Sequence, residues 1–176
     1  ELADAPSAQA LILGAATERY AIRQGVPSFV SEDVAGDQTV KSFGEKWDKH
    51  RYYRAHTAPF YTEWYLKRYA LGDVDGLEAF LADKRLILDA GTGAGRDAAN
   101  FAAHSEAIVF GIDTSWAALT NFREQPEAAR VSLIHADVNR LPFPDEFFDF
   151  INCDQVIHHT PDPPTTFRNL GRKLKK

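Results

Sequence analysis

Methionine is absent from this chain, and cysteine occurs once, at Cys153. A single thiol excludes an intramolecular disulfide and any zinc site built on paired cysteines, and it fits a reducing compartment. No metal site is expected. The sequence also lacks an unbroken apolar run of the ~18 residues a membrane-spanning helix needs, and its start lacks a basic stretch followed by an apolar one. These gaps predict a cytoplasmic protein without a membrane partner. Positive charge is in deficit, with 20 Lys and Arg against 25 Asp and Glu and a net charge of -5. Nucleic acid is therefore not supported as a partner, and a small-molecule substrate is expected. Neither an initiator Met before Glu1 nor a Gly or Pro stop signal after Lys176 is present, which reads as a fragment at both ends.

What is present is ordinary for a folded core. With 176 residues, 44% hydrophobic and 26% charged, the chain can bury one sizeable core and carry an appendage. Residues 1–39 read as that appendage and a linker: an Ala- and Leu-rich lead-in, then two short β-like pieces around Gly25. Pro27 confines the second piece to a sheet edge. Residues 40–82 read as a helical aromatic cap, in which Phe60 and Trp64, and Tyr61, Tyr65 and Tyr69, recur at helical spacing over 58–71. These rings either pack the helix onto the main core or form a lid over a substrate. Asp75 and Glu78 resemble a capping box opening a helix that runs through Leu81.

From residue 83 onward, strands and helices alternate. Strands are expected at 85–89, 107–112, 131–135 and 148–153, with helices at 96–103, 115–122 and 164–175. That order predicts an α/β fold with a doubly wound, mostly parallel sheet and right-handed crossovers. Between the first of these strands and its helix stands Asp89-Ala90-Gly91-Thr92-Gly93-Ala94-Gly95. Three alternate glycines let backbone approach a ligand closely and aim free N–H groups at it. A dinucleotide turn would need glycine where Arg96 stands, so a nicotinamide cofactor is disfavoured. A tight turn with no ligand is the plain alternative.

The run Leu86-Ile87-Leu88-Asp89-Ala90-Gly91-Thr92-Gly93-Ala94-Gly95-Arg96 resembles the first motif of class I, Rossmann-like methyltransferases, and further segments follow in the family's order. The resemblance implies S-adenosyl-L-methionine as cofactor, with Asp89 toward the methionine ammonium and Gly91, Thr92, Gly93 and Gly95 forming the cradle. It implies Asp113 and Thr114, about 20 residues beyond the first glycine, at the ribose hydroxyls. Asp113 as a helix N-cap is the structural alternative, with Thr114 or Ser115 able to cap instead. Asp137 and the Val138 backbone would read adenine, while Cys153, Asp154 and Gln155 would line the methionine side. His158 and His159 are candidate general bases, since imidazole titrates near neutrality, or they simply pack the following loop.

The segment 20–30 resembles the tail of a zinc-ribbon-like module that precedes some bacterial methyltransferases, without that module's cysteines. The helix before Lys176 resembles one that leads into a further strand in the family. The implied reaction is methyl transfer to an O, N or C nucleophile. The alternative is a catalytically incomplete S-adenosylmethionine-binding module or partner subunit.

Overall fold

The protein is described by a computed structural model covering residues 20–30, 38–49 and 53–176. The expected lead-in and most of the linker lie outside the described residues. The sheet begins with an antiparallel hairpin, β1 (Ala21–Arg23) and β2 (Val26–Ser28), turned by Gln24 and Gly25, both in the left-handed region. Two helices follow, α1 (Gln38–Lys49) and α2 (Tyr53–Arg68), then α3 (Val74–Leu81). The main alternation is β3 (Leu86–Ala90), α4 (Arg96–Ala103), β4 (Ile108–Asp113), α5 (Trp116–Arg123), a 3-10 turn at Pro126–Arg130 and β5 (Val131–His135). It ends with β6 (Phe150–Asn152), a 3-10 turn at Ile157–His159 and α6 (Pro163–Lys173).

The six strands lie in the order β1-β2-β5-β4-β3-β6, all parallel beyond the hairpin. The alternating pleat explains the two cores. Ile87 and Val109 face one side, among Leu77, Phe101, Leu119 and Phe122, while Leu88 and Phe110 face the other, among Ile134, Phe143, Phe148 and Leu170. A parallel strand covered on both faces must be apolar at nearly every position, as β3 is. Chain direction reverses its march between β3 and β6, so the switch point falls there. Open α/β sheets bind ligands at that crevice, outside the carboxyl ends of the strands.

Four expectations are corrected. The cap of α3 is Asp73, whose side chain accepts the Gly76 N–H at 3.0 Å; Asp75 sits inside the first turn, and Glu78 meets His104 Nδ1 at 2.9 Å instead. Gly72, with φ +78, turns the chain so that Asp73 is the extended residue at the helix entrance. Pro27 does not place β2 at the edge, because β1 lies outside it. The pairing with β5 begins only at Ser28, and Phe29 N donates to His135 O at 2.8 Å, so no donor is asked of the proline. The last helix stops at Lys173, and Leu174 runs extended beside Phe148. β6 is shorter than expected, beginning at Phe150. Among the described residues no helix is long and apolar enough to cross a membrane.

Candidate cofactor site

The glycine turn lies at the carboxyl end of β3, beside the switch point. Gly91, Gly93 and Gly95 adopt φ of +79, +52 and +75, a region that side chains rarely enter. Each glycine is also pressed by a neighbour. A Cβ on Gly91 would lie 2.5 Å from a Val156 methyl, on Gly93 2.6 Å from the Trp47 indole, and on Gly95 2.1 Å from the Phe122 ring. The expectation of free loop amides is corrected: Gly91 N and Thr92 N donate to Ile112 O, Gly93 N to Asp113 Oδ2 at 2.9 Å, and Gly95 N to Thr92 O. The Gly91, Thr92 and Gly93 amides hold the turn to β4, and the Gly95 amide closes it on itself.

Asp89 is the last-but-one residue of β3 and is buried. Its Oδ2 accepts the Thr92 hydroxyl at 2.7 Å and the Ala98 N–H at 3.2 Å, and its Oδ1 accepts Asn152 Nδ2 at 2.7 Å. Burial first, then the charge of Asp97, push its carboxyl up to about 7. Arg96 grips Asp97 with Nε and a terminal nitrogen at 2.6 and 2.8 Å, a bidentate pairing, and comes within 3.5 Å of Asp154 Oδ2. Asp154, at the exit of β6, also accepts the Tyr69 hydroxyl at 2.8 Å and lies 3.7 Å from Arg68 Nε. Its side chain is 1% exposed, and among the described residues its Oδ2 has no hydrogen-bond partner, Arg96 lying at ion-pair distance.

Asp113 ends β4. Its two oxygens accept the N–H groups of Gly93 and Ser115, the latter at 2.7 Å, and burial raises its pKa. Ser115, not Asp113, caps α5 by accepting the Ala118 N–H. Each carboxylate oxygen retains a lone pair for a further donor. Thr114 O contacts His135 Nε2 at 3.0 Å, Ser28 Oγ contacts Nδ1 at 2.8 Å, and Trp116 stands edge-on to the same imidazole. Burial lowers the His135 pKa, so its ring stays neutral and serves as a strut between the hairpin and Thr114. Asp137 Oδ1 accepts from Asn139 N and Nδ2, a local turn that sets the Val138 backbone after β5.

Beyond β6 the loop is tight, with Gln155 at φ +54. Burial raises the Cys153 thiol to about 11, which keeps it unreactive. His158 and His159 are exposed, with ring centroids 4.0 Å apart; slight burial, then His158, lowers the His159 pKa. Asp89 and Asp154 thus share Arg96 and Tyr65 as electrostatic neighbours, Asp113 ends β4 with Thr114 next to it, Asp137 and Val138 follow β5, and Gln155 is exposed in the loop after β6. Sequence reasoning gave no site role to Asn152 or Asp97, and it read Tyr65 only as a packing or lid aromatic. A buried asparagine closing the apolar Phe150-Ile151 pair was the readable signal for the first.

The acids suit a cationic ligand with a diol: among the described residues Asp89 is a buried acid with no cation in hydrogen-bond contact, and Asp113 is a second acid beside the turn. Residues 88–176, just over half the chain, match a family described as "Methyltransferase domain". An uncharacterized methyltransferase of Bacillus subtilis, YcgJ, is 30% identical over 116 residues, 62% of this chain and 46% of that protein. The malonyl-[acyl-carrier protein] O-methyltransferase of Legionella pneumophila is 34% identical over 92 residues, 51% of this chain and 32% of its own length. A solved Methanococcus maripaludis protein, described as an S-adenosyl-L-methionine-dependent methyltransferase, shares the fold at TM-score 0.57 and 23% identity. It covers 84% of this chain, which spans 64% of it. The chain spans less than half the length of the curated relatives it matches.

Proposed function

The chain belongs to the methyltransferase-domain family, whose cofactor is S-adenosyl-L-methionine, and on that premise we propose that it transfers a methyl group to an O, N or C nucleophile of a small-molecule acceptor. The carrying observation is Asp89, a buried carboxylate at the switch point that, among the described residues, has only neutral donors within hydrogen-bond distance. When bound, the cofactor supplies a methyl group activated on a sulfonium. Asp89 pairs with the ammonium of its methionine end, beside the turn made by Gly91, Thr92, Gly93 and Gly95. Asp113 and Thr114 receive the ribose hydroxyls, and Asp137 with the Val138 backbone receives the adenine edge. Asp154 and Gln155 close the methionine side. Alignment of donor and acceptor carries most of the rate, as positioned reactants gain several kcal/mol. His158 or His159 takes the acceptor proton where one must leave.

Calorimetry with S-adenosylhomocysteine and with NAD, followed by labelled-methyl transfer against a panel of alcohols, amines and activated carbons, tests the reading. We expect S-adenosylhomocysteine to bind, NAD not to, and label to move to an acceptor. Asp113→Asn keeps an oxygen for one amide and removes the ribose-facing charge, so affinity should fall roughly tenfold, about 1.4 kcal/mol. Binding of NAD alone overturns the proposal; binding without transfer to any acceptor class favours the incomplete module.

A further inference from the structure

Helix α1 lays one large ring on the glycine turn. Trp47 is half-buried, and the benzo edge of its indole presses on Gly93 so closely that a Cβ there would lie 2.6 Å from Cζ2 and 3.2 Å from Cη2. The backbone fixes this placement. The Trp47 carbonyl accepts Asn121 Nδ2 at 2.7 Å, and Asn121, on α5, is 6% exposed. A buried side-chain amide bonded to a helix carbonyl sets where that helix lies. One turn earlier, Gly44 comes down beside Ser115 at the entrance of α5, where a Cβ would stand 3.9 Å from its Oγ.

What the ring covers is the middle of the candidate cofactor site. Thr92 and Gly93 are adjacent in the chain, yet the Thr92 hydroxyl reaches Asp89 and the Gly93 N–H reaches Asp113. Trp47 therefore sits on the turn between the acid assigned to the methionine ammonium and the acid assigned to the ribose. In S-adenosyl-L-methionine the atom that joins those two ends is the sulfonium. An indole face attracts a cation through its quadrupole, more strongly than the other side-chain rings do. This indole already has one near it, since the Lys46 ammonium lies 5.2 Å from its centroid. The rings of α2 are engaged elsewhere: Tyr61 by Arg96, Trp64 by Arg68, and Tyr65 through its hydroxyl by Asn152.

Resting on the reading that Asp89 and Asp113 hold the two ends of the cofactor, we propose that Trp47 is a specificity-determining residue of that site. Its indole packs against the sulfonium and makes the chain prefer the charged methyl donor to the neutral thioether that remains after transfer. The two molecules share their adenine, ribose and amino-acid ends and differ only at the sulfur. Asp89 and Asp113 hold both alike, so discrimination has to come from a group beside the sulfur. Lys46 works against Trp47, because an ammonium near the same ring repels a second cation.

The test is calorimetry of S-adenosyl-L-methionine and S-adenosylhomocysteine on the full chain, reading the ratio of the two affinities. Trp47→Leu keeps an apolar side chain without a π face, so the preference for the methyl donor should fall roughly fivefold. Trp47→Phe keeps a weaker ring and should lie between the two. Lys46→Gln should move the ratio the other way, by roughly twofold for an exposed charge. Equal weakening of both ligands in Trp47→Leu makes the ring a wall without charge preference and overturns the proposal. Tighter binding of both ligands makes it an obstruction and overturns it too. Should Trp47→Leu fail to fold in urea titrations, the opposite shifts expected of Trp47→Phe and Lys46→Gln still decide, and unmoved ratios in both reject the idea. An unchanged ratio with both ligands bound leaves the functional reading standing, whereas binding of neither ligand to the native chain sinks both.

Discussion

At the scale of single residues, the glycines separate what the backbone requires from what packing requires. Gly95 combines φ +75 with the Phe122 ring 2.1 Å from any added Cβ, whereas Gly171, inside α6, has open space around it and no left-handed φ. Gly95→Ala meets two penalties, left-handed strain and overpacking of a full core, each of about 1–3 kcal/mol. Gly171→Ala meets neither and gains helix propensity of about 0.5–1 kcal/mol. Urea unfolding should therefore move in opposite directions for the two variants. The three glycines were legible in sequence as a turn that only glycine can make. Their neighbours were not, because Val156, Trp47 and Phe122 reach them across the tertiary fold from separate elements. The partners of Asp89 divide the same way: Thr92 and Ala98 lie close in sequence, but Asn152 arrives from 63 residues away.

At the scale of elements, the alternation of apolar runs and amphipathic stretches made the parallel sheet readable, and β3, α4, β4, α5 and β5 stand within a residue or so of their expected bounds. Ends fared worse where one local rule competed with another. Asp75 with Glu78 satisfies the capping-box pattern on paper, yet the left-handed Gly72 delivers Asp73 first. Asp73→Ala should consequently cost about 1 kcal/mol, the usual loss of a cap, while Asp75→Ala stays within about 0.5 kcal/mol. Equal costs in thermal or urea unfolding would return the cap to Asp75. The hairpin is the other case. Pro27 speaks for an edge, but β2 needs only one paired residue on β5, and Val26 is 4% exposed in the core. Burial of Val26, together with the Ser28–His135 hydrogen bond, holds β1–β2 onto the sheet.

At the scale of the whole molecule, buried ionisable groups pull stability in opposite directions with pH. Asp89 has a folded pKa of about 7 against an ordinary 3.8, so between those values the folded state holds a proton that the unfolded chain has lost. Stability from this group is greatest at the acid end and falls as pH rises toward 7, after which the loss is complete. Asp113, also raised by burial, acts with the same sign. His135 acts oppositely: its lowered pKa makes the unfolded chain take the proton first as pH falls below about 6.5, so stability drops toward acid. Asp149, held below its ordinary value by Lys175 and two backbone N–H groups, also favours the folded state above about 4 and loses that advantage as pH falls. Because these effects overlap, the native curve alone cannot isolate Asp89, but a difference can. Asp89→Asn removes one titration and leaves His135, Asp113 and Asp149 in place. Its unfolding free energy, relative to the native protein, should rise steadily between about pH 5 and pH 7 and level off above. Parallel curves from urea titrations across that range would mean that Asp89 carries no proton in the folded state. A rising difference would mean that the folded protein is destabilised at neutral pH by its buried Asp89 carboxylate.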